Sequence, residues 1–176
     1  TAQQHGHEPK LLNAVEAVNE HQKGHLYALI QRHYDRGEDE GVRGKTFAVW
    51  GLSFKPNTND IREASSRVLL EALWAAGARV QAHDPQAMEE IRRHYGPRAD
   101  LQLVPCKDDA LKGADALVIV TEWQDYRVLN LDKVPQQLTD RVVFDGRNLF
   151  EPEQMAAAGL TYYGIGRGQV QPVCRY

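Results

Sequence analysis

Residues 44–66, Gly-Lys-Thr-Phe-Ala-Val-Trp-Gly-Leu-Ser-Phe-Lys-Pro-Asn-Thr-Asn-Asp-Ile-Arg-Glu-Ala-Ser-Ser, decide how this chain is built. Thr46 to Trp50 is a short apolar run of strand-forming residues, and Gly51 ends it where a turn is needed. The next stretch is polar and carries Lys55, Asn57, Thr58, Asp60 and Arg62. A helical apolar pattern then begins near Ser65. The order strand, charged loop, helix builds ligand sites in α/β sheets, because the crevice lies beyond the carboxyl ends of the strands.

Working outward, the same alternation continues to the end of the chain. Further strands are expected at 79–82, 101–104, 114–121, 142–144 and 160–165. Helical segments are expected at 65–76, 88–95, 110–113, 129–138 and 153–159. The run Ala114 to Thr121 is continuously apolar apart from Asp115, which implies burial on both faces of a parallel sheet. Gly77 and Gly159 fall where helices should end. Gly164, Gly166 and Gly168 are followed by no helical pattern and read as turns at a strand end, not as a nucleotide loop. Asp84 closes the second strand, as a ribose-binding acid would in a dinucleotide fold. The first turn lacks Gly-x-Gly-x-x-Gly, however, and Asp84-Pro85 is more simply a helix-initiating pair. The fold class is therefore α/β, a doubly wound, mostly parallel Rossmann-like sheet.

Before this sheet, Lys10 to Tyr34 places apolar residues at 11, 12, 15, 18, 26, 29 and 30, mostly on one helical face. A helix of that length spans about 37 Å at ~1.5 Å per residue, more than a small domain needs, so it requires a partner outside its own domain. Pro9 suits its first turn. The charged, glycine-containing stretch Arg36 to Arg43 reads as a linker, dividing the chain into a helical part at 1–38 and an α/β domain at 39–176.

Composition narrows the function. A formal net charge of −3 over 176 residues offers no basic field for a nucleic-acid backbone. No apolar run approaches the roughly 18 residues needed to span a membrane, and the first residues lack a signal-peptide core. A soluble, cytoplasmic chain is expected. Cys106 and Cys174 show no Cys-x-x-Cys spacing and read as two free thiols. His21 and His25 have a metal-compatible i, i+4 spacing but no third ligand, so no metal is expected.

The carboxyl edge should gather Phe54 and Lys55 after the first strand, Glu122 and Trp123 after the fourth, and Asp145 to Arg147 after the fifth. One crevice could then collect three cations, Lys55, Arg62 and Arg147, with Phe54 as an apolar surface. Arginine's fork and lysine's point charge suit a phosphorylated ligand. Charge alone leaves open that these cations instead pair with Asp60, Glu63 and Asp145 in surface bridges of little worth.

The stretch Gly-Leu-Ser-Phe-Lys-Pro-Asn-Thr-Asn-Asp-Ile-Arg-Glu-Ala at 51–64 resembles the signature of the C-terminal domain of the UDP-glucose 6-dehydrogenases and related nucleotide-sugar dehydrogenases. Val-Ile-Val-Thr-Glu-Trp at 118–123, Phe-Asp-Gly-Arg at 144–147 and Tyr-Gly-Ile-Gly-Arg at 163–167 resemble later motifs of that family, in its order. Residues 10–23 resemble the central helix through which its members dimerise. The resemblance implies that Phe54, Lys55 and Arg147 contact the UDP-sugar, that Arg62 reaches NAD, and that the chain forms a homodimer through the 10–34 helix. Lys-Pro-Asn-Thr at 55–58 favours UDP-glucose over GDP-mannose, with a UDP-N-acetylhexosamine also compatible. Ser65 stands where many relatives have proline, and Asn59 where aspartate is frequent.

The family's glycine-rich NAD-binding domain and its Gly-Gly-x-Cys-Phe-Pro-Lys-Asp segment are not found in these 176 residues. The nucleophilic cysteine would then lie upstream, leaving no catalytic residue here. The expectation is a C-terminal, UDP-binding fragment of an NAD-dependent enzyme, inactive alone. A stand-alone nucleotide-sugar-binding or assembly module is the alternative.

Overall fold

The structure, a computed structural model, describes residues 9–35 and 41–172. Helix α1 (Lys10–Tyr34) is followed by β1 (Thr46–Trp50), α2 (Ser65–Ala75), β2 (Arg79–His83), α3 (Met88–Tyr95) and β3 (Leu101–Leu103). A 3₁₀ turn at Asp109–Leu111 leads to β4 (Ala116–Ile119), and another at Gln124–Arg127 precedes α4 (Val134–Gln137). The chain then runs through β5 (Val142–Asp145), α5 (Pro152–Ala157), β6 (Thr161–Gly164) and β7 (Gly168–Val170). The seven strands lie in the order β3-β2-β1-β4-β5-β6-β7. All neighbours are parallel except β6 and β7. The order reverses between β1 and β4, which is where doubly wound sheets leave a crevice at their carboxyl edge.

The two-residue period of the strands divides the core. Phe47, Val49, Val80, Ala82, Val118 and Phe144 face one layer, with residues of α1, α2 and α3. Ala48, Trp50, Leu117, Ile119, Val143 and Tyr162 face the other, with Met155 of α5 and Tyr126. Strands β1 and β4 are buried at nearly every position, as expected of central parallel strands.

Helix α1 behaves as two different halves. Its last turns bury Leu26, Leu29 and Ile30 in the first layer, whereas Leu11, Leu12, Val15 and Val18 are all exposed. Among the described residues, no helix is long and apolar enough to cross a membrane. Residues 1–8, most of the expected linker (36–40) and Cys174 lie outside the described residues.

Four expectations are corrected. Only Val134–Gln137 of the helix expected at 129–138 is helical. Asn130 Oδ1 accepts the Asp132 and Lys133 amides, an Asx turn that competes with a helix, and Pro135 removes an amide from the next turn. The fourth strand is Ala116–Ile119, shorter than 114–121. The segment at 110–113 is a single 3₁₀ turn at Asp109–Leu111, too short a piece for an α-helix. The glycines at 164–168 are more than terminal turns, since Gly166 and Gly168 with positive φ reverse the chain into the antiparallel edge strand β7.

Candidate functional site

The crevice beyond β1, β4 and β5 is a cleft of about 870 Å³, with α1 as its outer wall. Phe54, Lys55, Glu63, Val120, Glu122, Gly146 and Arg147 line the sheet side, and Leu12, Asn19, Lys23, His25 and Leu26 belong to the helix side. The chain can enter this edge because of Gly51. It has φ of 95° and so little room that an added Cβ would stand 2.5 Å from Thr121 Cβ.

Loop 52–55 leaves β1 buried and surfaces at its last two residues. Leu52 and Ser53 are buried, whereas Phe54 is 50% exposed and Lys55 is exposed. Ser53 is held on every side. Its amide and hydroxyl donate to Asp84 Oδ2 at 3.1 Å each, and its carbonyl accepts from Thr121 Oγ1 at 2.6 Å. Lys55 has no hydrogen bond or ion pair among the described residues, and its charge acts on Asp60 only through space, as a minor cause of that carboxyl's lowered pKa.

Arg147 arrives on the turn after β5. Asp145 Oδ1 accepts its amide, which shapes that turn. Its Nε donates to Val120 O at 2.7 Å and lies 3.0 Å from Glu122 Oε2. The Nη edge of the guanidinium therefore remains for a ligand. Phe54 and Lys55, neighbours on one loop, thus share a cleft with Arg147 from a distant part of the sequence.

Arg62 does not join them. It lies in a separate shallow depression with Thr58, Asn59, Asp60 and Glu90. Its side chain is 87% exposed and clamps Asp60 through two bonds, Nε to Oδ1 at 3.0 Å and Nη2 to Oδ2 at 2.8 Å. Those bonds hold the Asp60 carboxyl down at about 2. The expected three-cation crevice is thereby corrected, because a short-range bidentate pair captures the arginine at the rim.

The third cation of the cleft is Lys23, reached from α1. Its ammonium bonds Glu20 and Glu63, and those bonds raise its pKa and lower that of Glu63. No sequence signal marked this pair, whose members are 40 residues apart. With Glu16, Glu20, Glu63 and Glu122 also lining the cleft, its charge is mixed. Recognition of an anion here must come from placed donors and not from a uniform positive field.

The sequence also underrated Asp84. It does open the segment leading to α3, since Oδ1 accepts the Gln86 and Ala87 amides at 2.9 and 2.8 Å. Its other oxygen faces the cleft loops, accepting from Leu52 N, Ser53 and Trp123 Nε1. His21 and His25 stay on the helix, and no group of three metal-ligating side chains occurs among the described residues.

Comparison with known proteins bears on this site. The model of the UDP-glucose/GDP-mannose dehydrogenase family, UDP binding domain, matches residues 48–152. The UDP-glucose 6-dehydrogenase of Pseudomonas aeruginosa is 42% identical over 170 residues, which cover 95% of this chain and 37% of that protein. UDP-glucose 6-dehydrogenase YwqF of Bacillus subtilis is 39% identical over 166 residues, covering 94% of this chain and 36% of that protein. Among solved structures, a UDP-glucose dehydrogenase from Pyrobaculum islandicum superposes with a TM-score of 0.72 at 31% identity, covering 87% of this chain and 32% of that one. The chain thus spans about a third of the length of the relatives it matches.

Proposed function

The chain belongs to the UDP-glucose/GDP-mannose dehydrogenase family, and from that premise we propose that its cleft binds the uridine diphosphate part of a nucleotide sugar. The supporting observation is the convergence of Phe54, Lys55 and Arg147 from separate loops on one cleft. Lys55 supplies a mobile point charge to a phosphate oxygen. The Nη edge of Arg147, aimed by Val120 O and Glu122, supplies a planar pair of donors to phosphate or to a pyrimidine carbonyl. Phe54, half exposed beside Lys55, gives the base or sugar an apolar face.

In this reading the chain is the C-terminal part of an NAD-dependent UDP-glucose 6-dehydrogenase that forms UDP-glucuronate. Its own task is orientation, holding UDP so that the sugar's reacting carbon meets groups carried elsewhere in the longer protein. NAD accepts hydride in that reaction. Arg62 is the residue of this chain assigned toward it, and an exposed guanidinium at the rim fits a contact made from outside the cleft. No residue here acts as nucleophile, so the chain alone is expected to be inactive. The exposed Leu11, Leu12, Val15 and Val18 form the surface we assign to pairing with a second copy, an assignment that a monomer in sedimentation velocity would overturn.

Calorimetric titration of the chain with UDP, UDP-glucose, UDP-N-acetylglucosamine and GDP-mannose tests the reading. Uridine nucleotides should bind in preference to GDP-mannose, and the better of the two UDP-sugars names the substrate branch. Lys55→Ala and Arg147→Ala should each weaken UDP binding by roughly 1–3 kcal/mol, the worth of a charge-assisted contact. Unchanged affinity in both variants would sink the site.

A further inference from the structure

Two loops carry the proposed ligand contacts, and nothing in their sequences says what keeps them at a fixed separation. A buried group touches the first of them and also the residues after β4 that stand beside the second. Asp84, at the carboxyl end of its strand, is wholly buried. Its Oδ2 accepts Leu52 N at 2.7 Å, Ser53 N and Ser53 Oγ at 3.1 Å, and Trp123 Nε1 at 3.0 Å. Leu52 and Ser53 lead directly to Phe54 and Lys55. Trp123 follows Glu122, whose carboxylate stands 3.0 Å from Arg147 Nε.

We propose that Asp84 is a positioning residue, and that its bond from the Trp123 indole locks the Lys55 loop and the Glu122–Arg147 pair into one rigid ligand cradle. The inference rests on the assignment of Lys55 and Arg147 to a nucleotide diphosphate. Its chemistry requires a carboxylate. Every neighbour hydrogen-bonded to Asp84 is a donor, so an asparagine in either orientation would aim an amide N–H at another N–H or O–H. The burial also matters, since a tether out of water does not exchange its partners with solvent. Thr121 Oγ1 on Ser53 O is a second tie between the same loops, and it pins the Ser53 peptide. Thr121 precedes Glu122 as Trp123 follows it, so the two ties flank the residue that stands beside Arg147. The indole is the tie through which Asp84 itself enters the cradle, from the side of Glu122 opposite Thr121.

Trp123→Phe removes the indole N–H and retains an apolar ring, which makes it the least disruptive way to cut the tether. Calorimetry with UDP should show affinity reduced about five- to tenfold in this variant. In an Arg147→Ala background the same substitution should cost less than twofold, because its effect passes through Arg147. A purely structural role predicts a lowered thermal midpoint with affinity within twofold of the parent, or an equal loss in both backgrounds, and either result overturns the proposal. Amide hydrogen exchange without ligand gives an independent reading. Residues 120–123 and 146–149 should exchange at least tenfold faster in Trp123→Phe, and unchanged exchange would overturn the tether. If UDP fails to bind the parent chain, the nucleotide assignment falls, and exchange alone decides whether the two loops are locked together.

Discussion

Asp84 and Asp145 sit at the carboxyl ends of β2 and β5. Both are wholly buried, and among the described residues neither has a cation as hydrogen-bonding partner. They nevertheless do different work. Asp145 organises its own loop. It accepts the amides of Arg147, Leu149 and Phe150, all within five residues, plus the Tyr162 hydroxyl from the neighbouring strand. Asp84 spends one oxygen on its own loop and the other on residues 31 to 39 positions away. A buried carboxylate can thus shape one turn or couple several. The difference lies in where its donors come from.

The sharpest way to break this comparison is to remove each carboxylate. Asp84→Ala leaves donors from three loops without an acceptor and should cost at least about 4 kcal/mol of folding stability. Asp145→Ala strips mainly one turn and should cost about 3 kcal/mol. Urea denaturation measures both. Equal costs, or the reverse order, would show that coupling between loops adds nothing to a local turn.

A smaller effect sharpens the same contrast at the glycines that bring these loops against β4 and its following residues. Gly51, on the Asp84 side, combines φ of 95° with a 2.5 Å approach of its missing Cβ to Thr121 Cβ. Gly146, following Asp145, has no positive φ, and its missing Cβ would meet Ile119 O at 2.8 Å and Leu26 Cδ2 at 3.1 Å. Gly51→Ala should therefore cost about 2–3 kcal/mol and Gly146→Ala about 1–2 kcal/mol. Thermal denaturation of the two variants tests the order.

This contrast also explains what the sequence could disclose. Strands β1 and β2 and helices α1, α2 and α3 were legible because local signals agreed there: apolar periodicity, and glycine at 77 where α2 ends. Asp145 was placed beyond the fifth strand, but its acceptance of the Arg147, Leu149 and Phe150 amides was not read there. The region from 129 to 138 was not legible, because the Asn130 side chain and Pro135 override a pattern that looks helical. The candidate site divides in the same way. Phe54, Lys55 and Arg147 could be placed at one sheet edge by topology alone. The capture of Arg62 by Asp60, the Lys23–Glu63 pair and the Asp84–Trp123 bond depend on side-chain directions that no spacing encodes.

Asp60 supplies the mildest test, as an exposed aspartate set against the two buried ones. Its partner is a cation in solvent, and the Arg62 side-chain bonds, helped by the Arg62 amide, bring its carboxyl to about 2. A carboxylate with a lowered pKa stabilises the fold above its ordinary value near 3.9, and that contribution is lost as pH falls through about 2. Carboxyl NMR titration should accordingly give a midpoint near 2 for Asp60, shifting upward in 1 M salt and in Arg62→Ala. Salt should shift it because the pair lies open to water, where screening acts, and the same salt should leave the buried bonds of Asp84 intact. A midpoint at the ordinary carboxylate value in the parent chain would mean that Asp60 does not hold Arg62. The guanidinium would then be free to swing toward the cleft, and the division between rim and cleft cations would fail.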